Sequence, residues 1–243
     1  MKKRTFIKLS SVMMAGTALT PLVDLAQGGE LTNWAGNITY GTTRVMRAPS
    51  VPEAAELVRR YDRLKVLGTR HCFNRIADSR DRLLTLPGLN RVIGLDELHH
   101  TVTVQPAIRY GELAVYLNEK GYALHNLASL PHISVAGGCI TGTHGSGVRN
   151  ANLSSAVQAL ELITATGEVI SFSREKDKDI FTGTVVNLGG LGVVTQLTLA
   201  VEPTYQVSQF VFENLPIAQL RHHFEEIMSA GYSVSLFTDW RDG

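Results

Sequence analysis

Residues 128–147, ASLPHISVAGGCITGTHGSG, hold the densest chemistry in the chain. Gly137, Gly138, Gly142, Gly145 and Gly147 are interleaved with the hydroxyls of Thr141, Thr143 and Ser146, and no Asp, Glu, Lys or Arg interrupts them. Glycine lets a backbone approach a ligand closely and aim successive N–H groups at it. The hydroxyls add donors. This set suits a pyrophosphate and the polar edge of a flat ring, held without arginine. The glycines are too dense for the interior of a packed helix or strand. The spacing is not G-x-G-x-x-G after a strand, so it does not point to a Rossmann dinucleotide site. A second run answers the first: Val66-Leu67-Gly68-Thr69-Arg70-His71-Cys72-Phe73-Asn74. An apolar strand there enters a glycine turn and delivers a histidine. Read alone, His71 is either a nucleophilic imidazole or a loop histidine bonded to backbone.

Regular elements must hold these loops in place. A strand is expected over 43–48. A helix follows, with Ser50 as its cap, Pro52 in its first turn, and Ala54, Leu57, Val58 and Tyr61 at helical spacing. A short strand at 64–67 feeds the His71 loop. Residues 83–86 and 92–95 are short apolar runs, and 101–104 alternate as a half-buried strand should. A helix is predicted over 110–120, with Leu113, Ala114 and Leu117 on one face and Gly121 as its stop. Residues 157–164 and 168–173 flank a hairpin turn, and 193–201 form another long β-type run. Further on, strands are expected at 206–212 and 232–238, and a helix at 217–228. Helices mixed with antiparallel hairpins make the class α+β rather than doubly wound.

The two glycine runs together resemble the flavin-binding domain (PCMH type) of the vanillyl-alcohol oxidase superfamily, and within it the alditol (xylitol) oxidases. The resemblance is carried by Asn33-Trp34-Ala35-Gly36-Asn37, by residues 128–137, by Thr141-Gly142-Thr143-His144-Gly145-Ser146-Gly147, by Gly190-Leu191-Gly192-Val193-Val194-Thr195, and by residues 232–241. It implies an FAD-binding domain over 33–203, made of two α+β subdomains. It implies that a substrate domain starts at 204 and continues past Gly243, so the chain is expected to be a fragment or a shortened product. It implies FAD as cofactor, linked covalently through His71. Gly68, Thr69, Arg70 and Cys72 would contact it through their backbone. Ser134, Gly137, Thr141, Gly142, Thr143, His144 and Val193 fall at its other contact positions, Val193 through main-chain groups, so that Val193→Ile is expected to be mild. Ser129 would lie near the flavin and touch a polyol, with the catalytic base beyond Gly243.

The sequence departs from the family at Arg70 and Cys72, where small residues are usual. Arg70 would pair with a phosphate or crowd the loop. Cys139 follows Ala136-Gly137-Gly138 rather than preceding it, so a second, thioether link is not expected. The implied activity is oxidation of the primary alcohol of a sugar alcohol to an aldose, with oxygen reduced to hydrogen peroxide. Sugar-lactone oxidases and FAD-dependent dehydrogenases share the domain and stay open as alternatives, as do a flavin-binding fragment without turnover and a polyol-binding protein without cofactor.

The chain has 243 residues, 44% hydrophobic and 19% charged, with a formal net charge of +1. Nothing in that balance supplies the basic face that nucleic-acid binding needs. Two cysteines exclude a disulfide framework. His125, His132 and His144 lack metal-ligand spacing, and no metal is expected. Lys2, Lys3, Arg4 and Lys8 precede an apolar stretch broken by Pro21. Residues 1–28 therefore read as an export signal of twin-arginine (Tat) type, Lys3 standing for the first arginine. Tat machinery as a partner and a periplasmic location follow, or a membrane anchor if the signal is not cut.

Overall fold

The computed structural model describes residues 29–238. The expected export signal, residues 1–28, lies outside them, as do residues 239–243. Strand β1 (Val45–Arg47) opens a small parallel sheet. Helix α1 (Val51–Arg60) starts at Ser50, whose Oγ accepts from Glu53 N and donates to Glu53 Oε1 at 2.8 Å. That exchange satisfies an end N–H that has no partner within the helix. β2 (Lys65–Val66) and β3 (Leu83–Thr85) complete the sheet in the order β1-β3-β2. Its central strand is covered on both faces, and Leu83 and Leu84 are fully buried.

β4 (Val92–Asp96) and β5 (Thr101–Val104) begin a second sheet. Helix α2 (Tyr110–Glu119) packs Leu113 and Leu117 beneath it. A short strand β6 (Tyr122–Ala123) then leads to helix α3 (Val135–Ile140). β7 (Val157–Ile163) and β8 (Val169–Ser173) form the expected hairpin. Helix α4 (Arg174–Val185) and β9 (Val193–Ala200) follow, and β10 (Glu202–Pro203) pairs with β6. The large sheet is antiparallel throughout, in the order β4-β5-β9-β7-β8. Its main core gathers Val102, Val104, Leu160, Leu162, Phe181, Leu197 and Leu199. Ile163 and Val193, paired at the ends of β7 and β9, reach instead into the small sheet's core beside Ala48, Ala54 and Leu84. The two sheets are thus joined by apolar contact as well as by chain. The fold is α+β.

Four expectations change. Gly137 and Gly138 lie inside α3, a helix of one and a half turns. Val135 N donates to Ile108 O (2.8 Å) and Ala136 N to Pro106 O (3.2 Å), and burial of Val135, Ala136 and Cys139 offsets the poor helix propensity of glycine. Residues 206–212 and 232–238 form no strand. A strand needs a ladder partner and a face to bury, yet Val207, Phe210 and Phe212 stand 78%, 79% and 89% exposed. The helix expected over 217–228 divides into α5 (Ile217–His222) and α6 (Phe224–Ser229), separated by the non-helical backbone of His223. Helix α4 was not foreseen because its first half is a polar run that is broken again at Lys178 (φ 43°). Its local signal is the cap: Ser173 Oγ accepts from Lys176 N, while Asp177 Oδ2 accepts from Ser173 N at 2.7 Å.

Candidate cofactor site

The two glycine runs meet at Ser134. Its N–H donates to Thr69 Oγ1 at 3.3 Å. A side chain at Gly68 would start 3.1 Å from Ser134 Oγ, and one at Gly137 only 2.8 Å from it. The His71 loop and the first turn of α3 thus close on one hydroxyl, with little room for a side chain at either glycine. The stretch is anchored from behind: Tyr110 N donates to Ile133 O at 3.0 Å and Val135 N to Ile108 O, so the entry to α2 and the entry to α3 run side by side.

His71 leaves the end of β2 and points into a cluster of rings. Its centroid lies 4.4 Å from that of His132 and 4.8 Å from that of Trp34, and Trp34 lies 5.4 Å from His132. His71 Nδ1 and both ring nitrogens of His132 are buried without a hydrogen-bond partner. Leaving such a group unmet costs about 1–3 kcal/mol. Burial pulls the His71 pKa down to about 4, and His132, Arg70 and Arg109 add to the effect. Burial, then Arg109, lowers His132 too. Both imidazoles are therefore neutral at pH 7, which is the nucleophilic form.

The Arg70 side chain turns back toward the strand-like segment at Thr32. Arg70 adopts φ 65°, its carbonyl accepts from Trp34 N at 2.8 Å, and its guanidinium donates to Thr32 O at 2.9 Å. Asn33 Nδ2 donates to Cys72 O at 3.1 Å. Residues 32–34 are thereby laced to the His71 loop, and this places Trp34 over the histidines. Sequence reasoning quoted Trp34 without giving it a role, gave Arg109 none, and considered His132 only as a metal ligand. A Trp two loops away carries no spacing signal, and only its backbone bond to Arg70 reveals it.

The remaining predicted residues divide. Thr141 Oγ1 donates to Gly137 O at 2.7 Å and lies 3.3 Å from Thr143 Oγ1, while Gly142 N and Thr143 N donate to Cys139 O and Gly138 O. His144 is exposed and its Nδ1 donates to Gly145 O at 2.8 Å. Ser129 is exposed. Val193 is buried in the small core beside Ile163. Cys72 is half-buried, and burial raises its thiol pKa. Cys139 is fully buried 3.3 Å from Tyr110 OH, with its thiol pushed up to about 11 by burial. Among the described residues, no group of three or more His, Cys, Asp or Glu is arranged to hold a metal ion.

These features fit FAD. The glycines let the His71 loop and the start of α3 close on Ser134, which brings two loops rich in backbone N–H groups and hydroxyls side by side. Three unmet ring nitrogens await polar partners, and the neutral His71 suits attachment to an electrophilic carbon.

Comparison with known proteins gives the same answer. The family described as FAD binding domain matches residues 43–173, more than half of the chain. The alditol oxidase of Streptomyces sp. is 46% identical over 215 residues, covering 87% of this chain and 51% of its own length. An L-gulono-1,4-lactone dehydrogenase of Mycobacterium tuberculosis is 33% identical over 210 residues, covering 85% and 48%. A putative D-arabinono-1,4-lactone oxidase of Neurospora crassa is 34% identical over 179 residues, covering 72% and 32%. The chain spans about half the length, or less, of these curated relatives.

Proposed function

The chain belongs to the FAD binding domain family, and from that footing we propose that it forms the cofactor half of an FAD-dependent oxidase. The substrate is a sugar alcohol of xylitol or sorbitol type. Its primary alcohol is oxidised to an aldose, and oxygen is reduced to hydrogen peroxide. The observation that carries this reading is His71, neutral and half-buried, on a loop pinched by glycine against Ser134. The preference for a polyol over a lactone rests on the 46% identity to an alditol oxidase against 33–34% to the lactone enzymes.

Gly68, Thr69, Arg70, Cys72, Ser134 and Gly137 hold the cofactor's close-packed face. Thr141, Gly142, Thr143 and His144 offer hydroxyls, backbone and an imidazole to its polar edge, and the β9 backbone at Val193 closes one side. Bound FAD supplies the hydride acceptor and the route of electrons to oxygen. His71 carries the covalent link to it, which keeps the cofactor in place. Trp34 shields the histidines from water. Ser129, exposed beside this stretch, gives and accepts hydrogen bonds with a substrate hydroxyl. A lactone oxidase or dehydrogenase is the second reading, supported by the lactone-acting relatives. Residues 1–28 are proposed to export the protein, loaded with cofactor, through the Tat route.

The test is an absorbance spectrum of purified protein and of its acid-precipitated pellet, followed by peroxide assays. A yellow pellet, with peroxide from xylitol or sorbitol exceeding that from gulono- or arabinonolactone, is the expected result. A yellow supernatant removes the covalent bond. Greater turnover of lactones replaces the substrate.

A further inference from the structure

Two histidines occupy the ring cluster, and the proposed chemistry uses one. His132 reaches His71 from the loop before α3, so their contact is made by the tertiary fold. Three histidines elsewhere settle a ring nitrogen on a nearby group: His144 Nδ1 on Gly145 O, His99 Nδ1 on Asp96 Oδ2 at 2.8 Å, and His223 Nδ1 on Glu226 Oε2 at 3.2 Å. His132 does not. Both of its nitrogens are buried and unmet, and so is Nδ1 of His71, with the ring centroids 4.4 Å apart and the planes tilted by 57°. Trp34 touches both rings. The charged and titratable groups acting on His71 are His132, Arg70 and Arg109, with no carboxylate among them. A histidine kept for packing alone is rarely buried with both nitrogens unmet beside another imidazole. One whose task is to orient that imidazole would be, because either of its tautomers can meet the neighbouring ring or share a water with it.

We infer that His132 is a positioning residue for His71: together with Trp34 it holds the His71 imidazole in one tautomer and one orientation toward bound FAD. This rests on the flavin reading above, but its test does not. NMR of the imidazole nitrogens reports tautomer and protonation of His71 in the chain itself, with and without FAD. In the unsubstituted protein one tautomer dominates. His132→Ala equalises the two tautomers and moves the His71 midpoint upward by about one pH unit, and added imidazole reverses both changes. His132→Gln, which keeps a hydrogen-bonding side chain of similar reach, retains a single tautomer, whereas His132→Phe, which keeps a ring without a nitrogen, equalises the two and serves if the alanine variant does not fold. A tautomer ratio and midpoint unchanged in His132→Ala or His132→Phe would overturn the inference. A second readout is the rate at which acid-stable flavin accumulates on incubation with FAD. It falls about tenfold or more in His132→Ala while flavin fluorescence is still quenched on mixing. An unchanged rate would also overturn it. Flavin that binds the unsubstituted protein but washes off in acid removes the covalent link, and the NMR result then decides His132 alone.

Discussion

At His71, burial and charge act in the same direction, and the pH dependence follows. Its folded-state pKa is about 4 against 6.5 for the free side chain. Between those values the unfolded chain binds a proton that the folded chain refuses, so stability falls as pH is lowered through that window and levels off below it. His132 adds a contribution of the same sign. The urea midpoint should therefore drop less steeply between pH 7 and pH 4 in His71→Asn than in the unsubstituted protein. Equal slopes would show that His71 protonates freely in the fold. The cysteines give a second prediction at this scale. Cys139 is fully buried beside Tyr110, with its thiolate strongly disfavoured, whereas Cys72 is half-buried in the candidate site. Iodoacetamide at pH 8 should label Cys72 first, leaving Cys139 unmodified until the chain unfolds. Mass spectrometry of the labelled peptides checks the order, and FAD should slow the first reaction.

Among the elements, the join between β7 and β9 is the most exacting. Gly192 adopts φ 151° just before β9, and a side chain there would run into Ile163 O. Since Ile163 and Val193 seat the large sheet against the small one, Gly192→Ala should strain both. A loss of about 2 kcal/mol or more is expected, read as a fall of about 4–8 °C in thermal midpoint. A midpoint within a degree of the unsubstituted protein would mean that the strand end moves aside freely. Elements with local signals were legible: the Ser50 cap, the helical spacing after it, and the hairpin around Gly167 all stand where the pattern put them. Helix α3 and the strands expected near the C-terminal end were not, because neighbours decide them. The Ile108 and Pro106 carbonyls make a helix of a glycine-rich run, and the lack of a paired strand leaves 206–212 irregular.

For the molecule as a whole, the site lies where three separate loops converge, so a ligand bound there ties them together. Titrating FAD should raise the thermal midpoint with the logarithm of its concentration, the stability gained being about 2.7 kcal/mol at a hundred times Kd. Ser134→Phe, which fills the pinch between Gly68 and Gly137, should abolish that rise. A rise that survives the substitution would place the cofactor elsewhere. The amino-acid sequence by itself determined the α+β class and the two glycine runs, because local hydrophobic period, capping residues and glycine density are written in neighbouring positions; the flavin-binding family came from the resemblance of those runs to known ones. It also singled out His71. It did not determine which groups surround His71, nor that Arg70 would lace Trp34 over it while Arg109 and His132 act on it. Those relations join residues distant along the chain, and sequence spacing carries no record of them. Tertiary packing, with Ser134 drawn between the loops, brings them together and buries the Nδ1 of His71, and that burial is the main cause of its lowered pKa.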